Sequence, residues 1–481
     1  MAKSPWSAFV LILVSVVSQC LITRPLQAAT NSYCQFNQEA IAAKENLRRA
    51  YLKGNAQAAK DYQLLLRKHA ELLAQCRTAN WPGQQAIWLR LYPCDVQPGA
   101  LDEVLDRIVN LGYNQVYLEV FYDSLVLLPK NSNYTPWISV VELPGYENRD
   151  LLAETIKKGH ERGLKVYAWL FSLNFGYLYS QDPERQKVLA RNGKGENSLN
   201  FVHDLSQAFI DPYHQIARQD YSKLLQAVLQ RRPDGVLFDY IRYPRGSGSQ
   251  SLVSKVKDLW IYGEASQQVL LSRAQNQQGR WLLERYVNQG SITANDLARV
   301  RQLYPEEQTP LWQGRDPQAN NNLSTLQLDL WYFTVAHAAQ GIIDFLNFAA
   351  AQVQSRGIPA GAVFFPDGNQ VVGQVGFDSR LQPWDHFSSS LEWHPMSYAT
   401  CGHSNCIVEQ VKQVLNSSAR QNQVMPVLAG LWGQNYKDRP PLEEQMRAIR
   451  NSVPQINHIS HFAYSWIEPE LDRQRRSCNW R

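Results

Sequence analysis

Asp234-Gly235-Val236-Leu237-Phe238-Asp239-Tyr240-Ile241-Arg242-Tyr243-Pro244 starts on a turn pair, runs through three apolar residues, and then turns abruptly polar. A short apolar run between turn signals reads as a buried strand, here Gly235–Arg242. The chain on either side agrees. An amphipathic helical pattern, Tyr213–Arg231, precedes the run, and another, Leu328–Ser355, precedes the next apolar segment at Pro359–Phe365. Outward from this centre the alternation continues. Strands are predicted at Ala86–Tyr92, Asn114–Tyr122 and Lys165–Leu173 on one side, and at Leu391–Tyr398, Pro426–Leu431 and His458–Ile467 on the other. Helical patterns at Leu101–Leu111, Leu151–Arg162, Val408–Asn422 and Leu442–Asn451 separate them. Alternating strand and helix predict a parallel sheet with right-handed crossovers. Eight strands over about 390 residues predict an α/β fold closed into a (β/α)8 barrel, whose usual size is ~250 residues plus insertions. An open doubly wound sheet is the alternative, disfavoured because no Gly-rich phosphate loop follows the first strand.

Two segments lie outside the eightfold rhythm. Gly246-Ser247-Gly248-Ser249 opens a stretch to about residue 322 with helical patterns and no convincing strand. It follows the fourth strand, where a barrel enzyme builds its site from βα loops, so it is expected to wall the cleft; a surface excursion is the alternative. Residues 30–80 read as a helical hairpin, with helices at Asn37–Leu52 and Ala56–Leu73 broken by Gly54-Asn55. The barrel then occupies residues 81–481.

The first 29 residues read as an export signal. Lys3 gives a basic start, Ala8 to Val17 an apolar stretch, and Leu26-Gln27-Ala28-Ala29 a small-residue cleavage site. A lipid anchor at Cys20 is disfavoured because the preceding Gln19 is bulky. The expected mature protein is periplasmic or extracellular with no stable membrane anchor. It would keep six of the seven cysteines, an even number that favours disulfides in an exported chain. Antiparallel helices bring Cys34 and Cys76 together. Barrel closure brings the loop after strand one, with Cys94, beside the chain end, with Cys478. Cys401 and Cys406 share one loop and form the remaining pair. A net charge of only +5 gives no nucleic-acid footprint. The 14 Trp and 23 Tyr are a large supply of flat rings on which sugar faces can pack, although such residues also serve as core.

Catalytic groups in this fold come from the C-terminal ends of strands. Those ends offer Glu119 and Asp123, Trp169 and Asn174, Asp239 to Tyr243, Asp367, His394 to Tyr398, Trp432, then Trp466, Glu468 and Glu470. Asp239 stands out, because a carboxylate at the end of an apolar strand is costly unless paired or hydrogen-bonded. It is either a catalytic group or the structural partner of Arg242. Glu119 shares a strand face with Tyr117 and Phe121; it is either a catalytic acid or the partner of Arg242 or Arg90. Glu392 and Glu468 follow as candidate acids. Trp169, Tyr240, Arg242, Tyr243, His394, Tyr398, Trp432 and Trp466 are the expected substrate-binding residues, each with core packing as its alternative. No His-x-x-x-His or clustered His/Asp spacing is present, so neither metal nor cofactor is expected.

Three stretches together resemble the bacterial glycosyl-hydrolase-like family 10 barrels: Asp234–Pro244, Ile156–Trp169 and Pro395-Met396-Ser397-Tyr398. The resemblance implies an exported barrel that cleaves glycosidic bonds in a polysaccharide, with peptidoglycan glycan strands as a substrate and Asp239 as the leading carboxylate. Phe238 stands where these relatives commonly carry a second Asp. A glycan-binding barrel without catalysis is the alternative.

Overall fold

Eight parallel strands close on themselves in a computed structural model that describes residues 30–202, 204 and 206–478. The expected export signal and Cys20 lie outside the described residues. The strands are β1 (Gln84–Leu89), β2 (Gln115–Tyr122), β3 (Lys165–Phe171), β4 (Gly235–Asp239), β5 (Ala360–Phe364), β6 (Glu392–Ser397), β7 (Val427–Ala429) and β8 (His458–Phe462). Closure is direct: Ala86 of β1 pairs with Gln115 of β2 on one side and with Ser460 of β8 on the other. The fold is therefore a (β/α)8 barrel and not an open sheet. Every residue of β2 is buried, as expected when one strand face lines a packed lumen and the other lies under helices.

Strand ends differ from the sequence reading where local chemistry intervenes. β4 stops at Asp239, because Tyr240 takes a left-handed conformation (φ 51°) and turns the chain out of the sheet. β8 stops at Phe462, and a short helix, Tyr464–Ile467, replaces its expected last residues. An extra strand, Leu125–Pro129, folds back antiparallel on β2.

Helices α1 (Gln38–Leu52) and α2 (Ala56–Ala79) form the N-terminal hairpin, and α3 (Ala100–Asn110) joins β1 to β2. The hairpin is tied down at Asp106 of α3, which is fully buried. Its carboxylate accepts from Arg48 Nη1 of α1 at 2.8 Å, from Tyr62 Oη of α2 at 2.8 Å, and from Arg162 Nε before β3 at 2.9 Å. Disulfides join Cys34 to Cys76, Cys94 to Cys478, and Cys401 to Cys406. Beside the second of these, buried Arg475 donates to both Asp95 carboxylate oxygens, at 2.9 and 2.7 Å.

Three helices, Glu264–Ser272, Gln277–Gln289 and Ala294–Leu303, fill the segment after β4, followed by the 32-residue helix Leu323–Gln354. The segment packs against the 190s loop, where Gly193 N–H donates to the Lys257 carbonyl and Tyr262 N–H to the Arg191 carbonyl. None of its described residues lines the cavity at the barrel mouth.

Removing the Asp106 carboxylate takes the nearest anion from buried Arg48 and leaves Arg162 to Asp102 alone. Asp106→Ala is expected to cost about 3–5 kcal/mol in urea unfolding followed by circular dichroism. A loss below about 1 kcal/mol would show that the hairpin is held by its apolar face instead.

Candidate active site

β4 carries Asp239 to the C-terminal rim of the barrel, where parallel register sets it opposite Phe171 of β3. There it lines a cavity of about 250 Å³ with Trp88, Arg90, Glu119, Trp169, Phe171, Tyr240, Arg242, Phe365, Met396, Tyr398 and Phe462. Asp239 is 7% exposed, and its contacts are neutral. Oδ1 accepts from its neighbour's backbone, Tyr240 N–H, at 2.6 Å, and Oδ2 from the Trp169 indole Nε1 at 3.1 Å. Burial pushes the carboxyl up to about 6, against the Tyr240 N–H, the Arg242 charge and the Trp169 N–H.

Among the described residues no ion pair joins Asp239 to Arg242. The Arg242 guanidinium instead sits 4.6 Å over the Tyr240 ring, and its Nη1 donates to the Tyr243 carbonyl at 3.0 Å. Tyr240 is sandwiched, with its other neighbour, the Phe171 ring, 4.1 Å away between centroids. The left-handed backbone at Tyr240 is uncommon for a residue with a Cβ.

Three further carboxyls lie nearby. Glu119 is 1% exposed, and Arg90 grips both its oxygens, Nη2 at 2.9 Å from Oε1 and Nε against Oε2. Burial pushes the Glu119 carboxyl up, Arg90 opposes this, and Asp239 and Asp123 add to the rise. Asp123, just past β2, is half-buried; burial and the charge of Asp204 push it up to about 6, with Arg90 opposing. Asp204 is exposed and its charge also reaches Tyr240.

The rings form a wall. Trp169 meets Trp88 edge-on at 4.8 Å, and half-buried Trp466 extends the wall outward, 5.4 Å from Phe462 and 4.8 Å from Tyr436. Tyr398 lines the same cavity, close enough to Asp239 for that charge to add to the rise of its phenol.

Other expected site residues stand elsewhere. Glu392 opens β6 at the opposite end of the barrel from Asp239, and accepts from Tyr167 Oη at 3.2 Å. Glu392 does not line the mouth cavity. His394 is fully buried below the mouth against Tyr117, 5.4 Å between rings. It fits because Gly361 stands beside it: a Cβ there would come within 2.9 Å of the imidazole Nε2. Tyr243 is fully buried and donates to the Ala338 carbonyl at 3.3 Å, so it packs and offers nothing to a ligand. Glu468 pairs with Arg107 at 3.2 Å, and Trp432 donates to Tyr113 Oη at 3.3 Å; both line a separate cleft on the barrel flank. Asn174 accepts from Gly176 N–H, Asp367 pairs with Arg380, and Glu470 pairs with Arg473 on the surface. Among the described residues one group of potential metal ligands gathers, Cys401, His403 and Cys406, and its two cysteines are bonded to each other.

Residues 73–286 match the family Glycosyl hydrolase-like 10. That match covers less than half of the chain. The matched segment spans β1 to β4 and so holds Arg90, Glu119, Asp123, Trp169 and Asp239. The glycosyl hydrolase DigH of Escherichia coli K12 is 30% identical over 198 residues, which are 37% of this chain and 42% of that protein. The protein of the same name from Shigella flexneri matches equally. The chain therefore spans less than half the length of these curated relatives. Among solved structures, a pneumococcal StrH structure concerned with N-glycan recognition and hydrolysis shares 11% identity, covering 82% of this chain and 81% of that one, with a TM-score of 0.40. A hypothetical protein from Ruminiclostridium thermocellum shares 17% identity over 33% of this chain and 77% of its own, with a TM-score of 0.25. These scores are too low to inform the fold or the site.

Sequence reasoning placed Asp239, Glu119 and Trp169 on the correct strands but passed over Trp88, Phe171 and Phe462. Their signal was available, since each alternates with outward residues on a barrel strand. Asp204 lies in an irregular loop and had no such signal.

A carboxyl whose folded pKa is raised stabilises the fold below its unfolded value and loses that contribution as pH climbs through the folded value. For Asp239 the window runs from about 4 to about 6. The melting temperature of Asp239→Asn relative to the parent is therefore expected to rise between pH 4 and pH 7. A difference that stays flat or falls would contradict the neutral surroundings of Asp239.

Proposed function

We propose that this protein is a glycoside hydrolase that cleaves glycosidic bonds in a polysaccharide at the barrel mouth. Asp239 carries the reading: a carboxyl raised toward neutrality, held by two neutral donors, and set among aromatic rings at a strand end. Glycoside hydrolysis uses two carboxyl groups, one as nucleophile or base and one as proton donor. Asp239 is the nucleophile or base. Its two hydrogen bonds fix the carboxylate plane, and the Trp88–Trp169 wall keeps water from its flank.

For the proton donor, Glu119 and Asp123 are the two candidates; Glu119 lines the cavity, and Asp123 lies close to Glu119 without lining it. Both oxygens of Glu119 are taken by Arg90, whereas Asp123 is half-buried beside Arg90 and pushed up to about 6, near the pH at which it would have to give a proton. Glu119 also fixes Arg90, whose guanidinium lies 4.2 Å over the Tyr122 ring. Trp169, Tyr240, Tyr398 and Trp466 would pack on sugar faces, and Arg242 would hold Tyr240. The family match and the DigH likeness support glycan chemistry, and peptidoglycan glycan strands are the proposed substrate. The three disulfides support work outside the cytoplasm.

Asp239→Asn is expected to lower turnover of a glycan polymer by at least about 10³-fold at pH 5 without lowering the melting temperature. Of Asp123→Asn and Glu119→Gln, the one that removes the proton donor is expected to lose activity on the polymer yet keep most of it on aryl glycosides, whose leaving groups need no proton. Full polymer turnover by the Asp239 variant would sink the catalytic reading. Glycan binding without turnover by the parent protein would favour a binding barrel. If Glu119→Gln and not Asp123→Asn shows the aryl-glycoside pattern, the proton donor is Glu119.

A further inference from the structure

A guanidinium stays charged at any pH a folded protein meets, so burying one is costly unless carboxylates or several carbonyls take its N–H groups. Among the described residues seven arginines are buried, and six meet that condition. Arg48, Arg162, Arg315, Arg380 and Arg475 each pair with an aspartate at 3.2 Å or closer. Arg77 gives Nε, Nη1 and Nη2 to the carbonyls of Gly112, Pro82 and Tyr33. Arg242 is the exception.

Its Nη1 donates to the Tyr243 carbonyl at 3.0 Å, while Nε and Nη2 donate to no described residue. Neither of these two is among the nitrogens that burial seals off without a partner, as Nη1 of Arg380 is. Arg242 is 7% exposed and lines the mouth cavity, so the little surface it keeps opens there. The rings around it account for its orientation. The guanidinium carbon lies 4.6 Å from the Tyr240 ring centre, and 5.6 and 5.9 Å from those of Phe209 and Phe365. Rings engage a guanidinium through its face and leave its edge free. The free edge, Nε with Nη2, is the fork that matches the two oxygens of a carboxylate. No group of the protein neutralises this charge. Asp239 acts on it through space without an ion pair, and its own carboxyl is raised to about 6. Arg380 and Arg245 add positive charge nearby, and Glu119 is held by Arg90.

We infer that Arg242 anchors a carboxylate on the sugar unit seated beside Asp239, so that the polymer cleaved at the mouth is an acidic one. This rests on the glycoside-hydrolase reading for the ligand being a sugar, and adds the charge of that sugar and the residue that selects it. Two kinds of sugar carry such a group: a uronic acid at its sixth carbon, and N-acetylmuramic acid on an ether side arm. A neutral sugar of the same shape would leave the guanidinium buried and unpaired, which is how the mouth would reject it.

The test is calorimetric titration of Asp239→Asn protein with two matched pairs of ligands. One pair is galacturonate hexamer and its methyl ester; the other is the N-acetylglucosamine–N-acetylmuramic acid disaccharide and chitobiose. In at least one pair the acid is expected to bind about ten-fold or more tightly than its uncharged counterpart, and the pair that responds identifies the source of the carboxylate. The preference should shrink as salt is added. Arg242→Gln in that protein is expected to bind acid and counterpart alike, and Arg242→Lys, which keeps the charge and loses the fork, to retain part of the preference. Each pair is compared on one protein, so the first result stands even where a variant at Arg242 fails to fold. Equal affinity within both pairs, tighter binding of the uncharged members, no binding of any ligand, or a preference that survives Arg242→Gln in folded protein would overturn the anchor. If the acid is preferred through Arg242 but no polymer is ever cleaved, the anchor stands and the hydrolase reading falls. If neutral polymers are cleaved as fast as acidic ones, the hydrolase reading stands and the anchor falls.

Discussion

Burying a carboxyl group without a counter-ion is among the more expensive things a fold can do, and the barrel mouth is organised around doing it at Asp239. Among the described residues the groups that hydrogen-bond the carboxylate are a backbone N–H and an indole N–H. Neither donor carries charge, so desolvation outweighs them and the group rises to about 6. An arginine is present three residues along the chain, but it is turned onto the Tyr240 ring. Had Arg242 paired with Asp239, the site would hold a permanently ionised ion pair suited to structure. With Arg242 drawn aside, the carboxyl can change protonation near neutral pH, which is what acid–base chemistry demands.

The barrel supplies the means. Closure through β1 and β8 makes every strand end converge on one rim, so side chains from residues 88, 119, 169, 239 and 462 meet although hundreds of positions separate them. The left-handed turn at Tyr240 ends β4, and the Tyr240 N–H donates to the carboxylate one residue before it. Below this layer, Tyr117 and His394 fill the lumen and form the floor on which Trp88 and Met396 rest. On the outside, the Asp106 cluster locks the hairpin onto α3 and so shapes the flank cleft.

Much of this was legible in the sequence because it rests on period. Apolar runs of strand length separated by amphipathic helices gave the barrel, and a carboxylate ending such a run gave Asp239. What period does not carry was missed. Alternation puts Glu392 and His394 on the lumen face, but only register along β6 shows that Glu392 lies at the far end of the barrel. Tyr243 and Trp432 follow strands and so read as mouth residues, yet the chain turns after each strand, burying Tyr243 and setting Trp432 on the barrel flank. The partner of Arg242 was a matter of side-chain direction, set by ring stacking that no spacing rule encodes.

The claim that the Asp239 carboxyl cleaves glycosidic bonds is tested most directly by product analysis in ¹⁸O-labelled water. The intact protein and its Asp239→Asn variant would each be incubated with peptidoglycan glycan strands and a panel of neutral and acidic polysaccharides, and the products read by mass spectrometry. The expected result is shortened glycans from at least one polymer, each new reducing end carrying a single ¹⁸O, with none from the variant. Chains of unchanged length from every polymer, or equal cleavage by protein and variant, would contradict the account.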